Sequence, residues 1–124
     1  MRFLTNPSTD PWYNMSFDEY CLEQYSSDDS FFYLWRNAPS VIIGLNQNAF
    51  AEVNLGYLEE RGIRLARRVT GGGAVYHDLQ NLNYTFIGRE VTPEPMVAAL
   101  RLLGVPAELT GRNDIYVGGR KVSG

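Results

Sequence analysis

The sequence contains very little cysteine and histidine, with one residue of each in 124 positions. The single cysteine, Cys21, has no partner for a disulfide within the chain, which fits a protein of the reducing cytoplasm. A single histidine, His77, excludes a metal site built from several imidazole rings. The sequence therefore predicts neither a disulfide scaffold nor a multi-histidine metal centre.

Long hydrophobic runs are also missing. No apolar stretch approaches the roughly 18 residues needed to span a bilayer. Residues 1–5 do not have the pattern of a secretory signal. We therefore expect a soluble, cytoplasmic protein without a membrane partner.

Positive charge is scarce as well. Eleven lysine and arginine residues stand against fourteen aspartate and glutamate residues, for a net charge of −3 and a pI near 5.1. General nucleic-acid binding depends on many cations that neutralise phosphates, so this balance argues against a nucleic-acid partner. A local positive region remains at Arg64, Arg67 and Arg68.

The length of the chain and its mixture of patterns predict one α+β domain over residues 1–124. Asp10 before Pro11 is a helix-start signal, with the aspartate as N-cap. An apolar stripe should follow on that helix, which should end in the polar loop at residues 26–30; its members are Trp12, Met15, Cys21, Leu22 and Tyr25.

Strand and turn signals occupy most of the remaining chain. The aromatic and β-branched runs at residues 31–36 and 40–44 predict two adjacent strands joined by a turn. Helices are predicted at residues 54–61 and from residues 93–95 to Gly104, with Val97, Leu100 and Leu103 on one side of the latter. Further strands are predicted at residues 2–5, 63–68, 74–77, 82–87 and 114–117, with a tight turn at residues 118–119. Together they predict a mixed, largely antiparallel sheet flanked by helices.

One short segment, residues 67–78, concentrates unusual chemistry. It reads Arg-Arg-Val-Thr-Gly-Gly-Gly-Ala-Val-Tyr-His-Asp and is followed by Asn81-Leu82-Asn83-Tyr84-Thr85. Glycines let backbone N–H groups approach an anion closely, and arginine offers a planar fork to the same oxygens. A hairpin turn with two solvated arginines is the alternative, which the neighbouring histidine, aspartate and asparagine disfavour.

The same segment resembles the signature of lipoate-protein ligases, which reads Arg-Arg-x-(Ser/Thr)-Gly-Gly-Gly-Ala-Val-x-His-Asp. The resemblance continues at residues 10–14, 34–37, 41–44, 46–48, 111–114 and 119–124. Two positions depart from the family pattern, Gln80 where glycine is usual and Asp18 where many members have glutamate. The resemblance implies a biotin/lipoate ligase-like catalytic domain with a class II synthetase-like fold. Because the family's catalytic domain is longer, we expect this chain to be a fragment of one.

The resemblance also implies a two-step reaction. Lipoate and ATP, with Mg²⁺, would form lipoyl-AMP, and the lipoyl group would pass to a lysine of an acceptor lipoyl domain (E2 or H-protein). Lys121 would be the catalytic cation, although a lysine in a turn is ordinarily only a surface residue. Arg68 would bind the carboxylate and phosphate end of lipoyl-AMP.

Other positions that match the family motifs would complete the site. The segment around Arg68 would contribute Thr70, Gly72, Gly73, Ala74, Val75, His77 and Asn81 to substrate binding. ATP or AMP would contact Gly73, Asn81, Asn113, Asp114 and Lys121, with Asp114 as a Mg²⁺ ligand, unless Asn113 and Asp114 only open a turn. Asn81 would contact the adenosine or the loop backbone. The apolar acyl tail would lie against Trp35, Met15, Phe17 and Val75, although a tryptophan in such a strand is usually core.

Three alternatives remain open from the sequence. An octanoyltransferase of the same superfamily would work through a cysteine thioester, but Cys21 lies on an apolar helical stripe, where an inert thiol is expected. A lipoate- or adenylate-binding fragment, active only with a separate partner or inactive, is the second. Biotin ligases use a similar fold, but their own basic glycine-rich signature is absent.

Overall fold

The computed structural model describes residues 1–24 and 29–124. The chain divides into two compact units, Met1–Arg89 and Glu90–Gly124, and each is described separately. The assignment of residues 1–124 to a single domain stays a prediction. Among the described residues, no helix is long and apolar enough to cross a membrane.

The first unit contains three helices and six strands in its described part. In chain order they are β1 (Arg2–Phe3), α1 (Pro11–Glu23), β2 (Phe31–Trp35), β3 (Ser40–Ile43), α2 (Ala49–Glu52), α3 (Leu55–Glu60), β4 (Arg64–Arg67), β5 (Val75–His77) and β6 (Asn83–Ile87). One sheet has the order β1-β2-β6, with β1 parallel and β6 antiparallel to β2. The other has the order β4-β3-β5, with β4 parallel and β5 antiparallel to β3.

The start of α1 is confirmed in detail. The Asp10 carboxylate accepts hydrogen bonds from the backbone N–H groups of Trp12 and Tyr13 at 2.9 and 3.0 Å, and Pro11 occupies the first helical turn. These contacts satisfy donors that have no partner within the helix. The sequence therefore located this helix start correctly.

The predicted apolar stripe of α1 is only partly correct. Met15 and Cys21 are buried, whereas Trp12 and Leu22 are 55% and 50% exposed. Trp12 still has a structural contact, because its indole N–H donates to the Leu65 carbonyl at 2.8 Å. The fifth member, Tyr25, lies outside the described residues, as does most of the loop predicted at residues 26–30.

The predicted pairing of the strands at 31–36 and 40–44 is wrong, since β2 and β3 belong to different sheets. The connection between them is held by the region around the start of α1 instead of closing a hairpin. The Ala38 N–H donates to the Thr9 carbonyl at 2.8 Å, and the Asn14 side-chain amide donates to the Arg36 carbonyl at 3.0 Å. Pro39, which has no N–H, then leads into β3.

The core of the first unit lies between α1 and the two sheets. Alternate residues of β2, Phe31, Tyr33 and Trp35, point inward. The buried cluster comprises Met15, Cys21, Phe31, Tyr33, Trp35, Ile42, Ala66 and Ile87. This alternation is what a strand with one buried face requires.

The remaining elements of the first unit include one confirmed prediction and one missed helix. The helix predicted at residues 54–61 is present as α3, where Asn54 is the N-cap and Gly62 lies beyond the end at φ 63°. The short helix α2 was missed, although the Asn48 side chain caps it by accepting from the Phe50 N–H at 3.0 Å. An asparagine before a four-residue helix is a weak signal, because asparagine favours turns equally.

The second unit consists of a helix and a three-stranded antiparallel sheet in the order β7-β8-β9. Its elements are α4 (Glu94–Leu102), β7 (Ala107–Thr110), β8 (Asp114–Val117) and β9 (Arg120–Ser123). The helix and β8 were predicted, whereas β7 and β9 were missed. Val97, Ala107 and Ile115 form its buried core. Leu103, predicted on the apolar side of α4, is 79% exposed because it lies at the C-cap, before Gly104 turns the chain at φ 81°.

Candidate functional site

The triple-glycine loop connects β4 to β5, the two strands that flank β3. Within it Gly72 has a φ of 105°, which L side chains rarely adopt. The end of β3 approaches the loop so closely that a Cβ placed on Gly44 would lie 2.1 Å from the Gly72 carbonyl oxygen. Both glycines are therefore required by the backbone, one by its conformation and the other by the close contact.

The Arg68 side chain is hydrogen-bonded to the backbone of the glycine loop. Its Nη2 donates to the carbonyls of Gly71 and Gly73 at 2.9 and 2.8 Å, and its Nε donates to Gly71 at 3.2 Å. Its Nη1 donates to the Ile42 carbonyl at 3.3 Å. Burial lowers the pKa of the Arg68 guanidinium. The side chain thus carries a partly desolvated positive charge at the base of the glycine loop.

Arg67 has a different partner. Its Nη1 lies 2.9, 3.0 and 2.7 Å from the carbonyl oxygens of Gly44, Leu45 and Gln47. The same segment is closed by a bond of 2.8 Å from the Gly44 N–H to the Gln47 side-chain oxygen. The Leu45 N–H then donates to the Thr70 carbonyl at 2.9 Å, which joins this segment to the glycine loop. Arg67 therefore supports the loop, while Arg68 is the arginine beside the cavity described next.

A cavity of about 170 Å³ lies between α1, the glycine loop and β6. Arg68 and Thr70 are among the polar residues of the lining, and most of the wall is apolar. The lining residues are Met15, Asp18, Leu22, Arg68, Val69, Thr70, Thr85, Phe86 and Ile87. Pockets for drug-sized ligands are larger, about 300–1,000 Å³. The cavity therefore suits a small ligand with an apolar body and an anionic end.

A half-buried carboxyl group interrupts the apolar wall. Asp18 accepts a hydrogen bond from the Tyr33 hydroxyl and another from the Thr85 hydroxyl at 3.3 Å. Burial raises the pKa of Asp18, and the two hydrogen bonds oppose that shift. Thr85 also accepts from the Trp35 indole N–H at 3.0 Å. Sequence analysis marked Asp18 only as a departure from the family pattern and missed Tyr33.

The predicted acyl-tail residues lie in different places. Met15 shares the cavity lining with Arg68. Trp35 is buried in the core and borders a separate depression. Phe17 packs edge-on against Tyr33, with ring centroids 5.1 Å apart, and Val75 is 44% exposed on β5. In the described part of the chain, therefore, only Met15 among the four borders the cavity beside Arg68.

His77 is half-buried at the end of β5. Its Nδ1 lies 3.2 Å from the Asn37 amide nitrogen, and its ring meets the Trp35 ring edge-on at 5.9 Å. Burial lowers the pKa of His77, the charge of Arg68 lowers it further, and Asp78 acts in the opposite direction. The imidazole is therefore held neutral by its surroundings.

Asn81 closes the turn after β5. Its side-chain oxygen accepts from the Asp78 N–H at 3.1 Å, and its own N–H donates to the Asp78 carbonyl at 3.1 Å. Gln80, the departure from the family glycine, donates its N–H to the Asp78 carboxylate at 2.8 Å. Asn81 therefore contacts the loop backbone, which is one of its two predicted partners, and contact with the adenosine stays a prediction.

In the second unit, two predicted site residues lie together. Lys121 is on β9 opposite Tyr116, and its ammonium is 2.9 Å from the Asp114 carboxylate. The two side chains are 51% and 39% exposed. Asn113 lies in the turn before β8. No group of three or more histidine, cysteine, aspartate or glutamate side chains suited to a metal occurs in residues 1–24 and 29–124. Asp114 thus offers a single carboxylate.

Comparison with known proteins identifies the class to which this fold and site belong. Residues 10–124 match the model of the lipoyl protein ligase A/B catalytic domain. The chain belongs to this family. The predicted family and the predicted α+β fold class are both confirmed.

Curated relatives include the lipoate-protein ligase LplJ of Bacillus subtilis and lipoate-protein ligase 1 of Staphylococcus aureus. Each is 46% identical over an alignment that covers 100% of this chain. The alignment covers 40% and 41% of those proteins. The chain therefore spans about two fifths of the length of the curated relatives it matches.

Several solved structures have a fold similar to that of this chain. A Plasmodium falciparum LipL1 in complex with lipoate has a TM-score of 0.84 and 33% identity, over 96% of this chain and 41% of its own. A bipartite lipoate protein ligase from Thermoplasma acidophilum, described with its E2 lipoyl domain, has a TM-score of 0.83 and 34% identity. The match covers 97% of this chain and 52% of the Thermoplasma chain. A lipoate-protein ligase A bound with ATP has a TM-score of 0.81 and 34% identity. The match covers 97% of this chain and 57% of the ligase chain.

Proposed function

We propose that the protein containing this chain is an ATP-dependent lipoate-protein ligase. It would join lipoate to AMP with release of pyrophosphate, and then transfer the lipoyl group to a lysine. The observation that carries the proposal is the cavity in the first unit, which is lined mainly by apolar side chains and also by Arg68. Lipoate has the matching form, an apolar chain that ends in a carboxylate. The lipoate and ATP named with the related structures support the same substrates.

Arg68 and the glycine loop would bind the anionic end of the substrate. Attack of a carboxylate on the α-phosphate brings two anions together, and their repulsion must be neutralised. A charge-assisted hydrogen bond contributes about 1.5–3 kcal/mol, whereas an exposed ion pair contributes about 0–1 kcal/mol. The partly buried Arg68 therefore suits this role, with the Thr70 hydroxyl and the Gly72, Gly73, Ala74 and Val75 backbone beside the substrate. These residues would act by positioning and electrostatics.

Lys121 would be the catalytic cation. Its ion pair with Asp114 is half-exposed, so exchanging that carboxylate for a ligand oxygen has a small energetic cost. The ammonium would stabilise the negative charge that develops on the phosphate and then on the acyl oxygen.

Asn113 and Asp114 would face the adenylate and its Mg²⁺. Magnesium usually takes one or two carboxylates together with substrate phosphates and waters. A single carboxylate at Asp114 fits that donor set. When bound, Mg²⁺ would neutralise phosphate charge.

The proposed acceptor is a lysine of a lipoyl domain (E2 or H-protein). The E2 lipoyl domain named with the Thermoplasma ligase supports an acceptor of this kind. The reaction uses ATP, and we propose that it takes place in the cytoplasm.

The alternatives differ in chemistry that can be measured. A transferase would need an activated thiolate, but Cys21 is 3% exposed and burial raises its pKa. Such a thiol is a poor nucleophile at neutral pH. The bipartite archaeal relative makes a ligase that needs a second chain a concrete alternative.

Lipoate-dependent exchange of pyrophosphate into ATP tests the proposal. We expect exchange by the protein that contains this chain, and loss of exchange in Arg68→Gln. Arg61→Gln is the matched control, since Arg61 lies over the exposed face of Tyr57 at 5.2 Å. Octanoyl transfer from a carrier protein without ATP, in the absence of exchange, would replace the ligase with the transferase. Exchange that appears only after a second chain is added would support the bipartite alternative.

A further inference from the structure

A chain of buried side-chain amides runs from the segment before α1 to His77. Asn14 and Asn37 are 1% and 0% exposed, and Asn6 is 7% exposed. The Asn6 amide donates to the Asn14 side-chain oxygen at 3.0 Å, and the Asn14 amide nitrogen lies 2.7 Å from the Asn37 side-chain oxygen. The Asn37 amide nitrogen lies 3.2 Å from Nδ1 of His77. Because these groups are sealed from water, each must find its partner within the protein.

The backbone determines which way each amide points. The Asn14 side-chain nitrogen lies 3.2 and 3.0 Å from the carbonyl oxygens of Ser8 and Arg36. Carbonyl oxygens only accept, so this end of Asn14 must be its donor end. The atom of Asn37 that faces this donor must then be an oxygen. The amide group of Asn37 therefore turns its nitrogen towards His77.

This orientation determines the position of the proton on His77. An amide nitrogen donates and does not accept, so Nδ1 of His77 must present a lone pair to Asn37. In a neutral imidazole the hydrogen is then on Nε2. Protonation of Nδ1 would set two donors against each other at 3.2 Å. The charges of Arg68 and Asp78 have opposite signs, and they shift the pKa of His77 in opposite directions.

We propose that Asn37 is a positioning residue that holds His77 in the neutral Nε2–H tautomer. His77 is then a hydrogen-bond donor through Nε2. It adds no second positive charge beside Arg68, and it does not act as a base through Nδ1. Donation to a carbonyl or phosphate oxygen of the ligand rests on the proposed function. The tautomer itself rests only on the hydrogen bonds described above.

The nitrogen-15 NMR spectrum of His77 tests the proposal directly, because His77 is the only histidine in the sequence. Long-range proton–nitrogen correlations from the histidine-labelled chain distinguish a protonated ring nitrogen from an unprotonated one. We expect an unprotonated Nδ1 and a protonated Nε2 at neutral pH. The spectrum is recorded without lipoate or ATP, so a failure of the ligase proposal would leave this result standing.

The variant Asn37→Asp should reverse the pattern. Its carboxylate can only accept, so we expect a proton on Nδ1 and a rise of about 1–3 units in the titration midpoint of His77. Asn48→Asp is the matched control. It introduces the same charge at the N-cap of α2, where aspartate is also favoured, and should leave the tautomer unchanged.

Two results would overturn the proposal. One is a wild-type spectrum with a protonated Nδ1 or with averaged tautomers, which needs no variant to fold. The other is a folded Asn37→Asp variant that keeps the wild-type tautomer. Asn37→Ala removes the donor without adding charge, so it also separates the loss of the hydrogen bond from electrostatics.

Discussion

The close approach of Gly44 to the glycine loop predicts a specific effect of one added methyl group. In Gly44→Ala the new Cβ would lie 2.1 Å from the Gly72 carbonyl oxygen, and 3.1 and 3.2 Å from the Gly72 carbonyl carbon and nitrogen. All three atoms belong to the backbone, so no side-chain rotation relieves the contact. The loop must move by at least 0.9 Å to bring the nearest separation to 3.0 Å, the shortest that real Cβ atoms show.

A movement of that size would disturb the contacts between the loop and the Arg68 side chain. The bonds from Arg68 to the carbonyls of Gly71 and Gly73 are 2.9 and 2.8 Å long, and an extension of about 1 Å would break them. Overpacking of this kind costs about 1–3 kcal/mol of stability. A misplacement of about 1 Å in a site that works by positioning lowers the rate about 100-fold. We therefore expect Gly44→Ala to lose both stability and pyrophosphate exchange.

Urea denaturation measures the first effect, and lipoate-dependent exchange measures the second. Gly56→Ala is the matched control: its Cβ would meet only the Asn54 side-chain oxygen at 3.6 Å, an ordinary contact inside α3. Alanine favours a helix over glycine, so this control should keep or gain stability. A Gly44→Ala protein with the stability and exchange rate of the wild type would refute the inferred contact.

Two further predictions concern groups that titrate or carry charge. Lys121→Ala should abolish lipoyl transfer while changing the free energy of unfolding by less than about 1 kcal/mol, because the pair with Asp114 is half-exposed; normal transfer would remove the role proposed for the lysine. For His77, burial lowers the pKa below 6.5, so the unfolded chain binds more protons than the folded chain as the pH falls below that value. The free energy of unfolding should therefore fall as the pH drops through 6.5, and it should fall less in His77→Gln. Urea denaturation on both sides of that pH measures the difference. An equal pH dependence of stability in both proteins would contradict the lowered pKa of His77.

The starts of α1 and α3 were predictable because their signals are local, although the equally local cap of α2 was missed. Asp10 before Pro11 and Asn54 before Leu55 each satisfy backbone donors within one turn, and the structure contains both caps. The pairing of strands depends on residues far apart in the sequence. The segment after β2 was interpreted as a hairpin turn, but it is bound by Asn14 and Thr9, 22 and more residues earlier. No local pattern contains that information.

The strands β7 and β9 were missed for a different reason. Each has four residues, and β9 follows directly on the glycine turn at residues 118–119. The residues of β9 are exposed or half-buried, so it lacks the alternation of a strand with one buried face. Its pairing with β8 nevertheless positions Lys121 opposite Tyr116 and close to Asp114.

The roles predicted for the site residues stay predictions, but some of those residues do lie close together. Arg68, Thr70 and Met15 were all singled out from the sequence, and the structure brings them to one cavity. Gly44 was seen as part of a motif, but its contact with Gly72 crosses from one strand to a distant loop. The bond from Asn37 to His77 likewise joins residues 40 positions apart. Such contacts become visible only when the fold is known.

Arg67 and Arg68 show why composition alone could not assign the contacts of each side chain at the glycine loop. Arg67 is the last residue of β4 and Arg68 is the first residue beyond it. Arg67 binds three carbonyls of the segment at residues 44–47, whereas Arg68 binds the carbonyls of the glycine loop and lines the cavity. Two identical side chains, adjacent in sequence, therefore bind two different segments. The Arg67 guanidinium is engaged by backbone carbonyls and has a structural role. Arg68 is therefore the arginine whose charge a ligand in the cavity would contact.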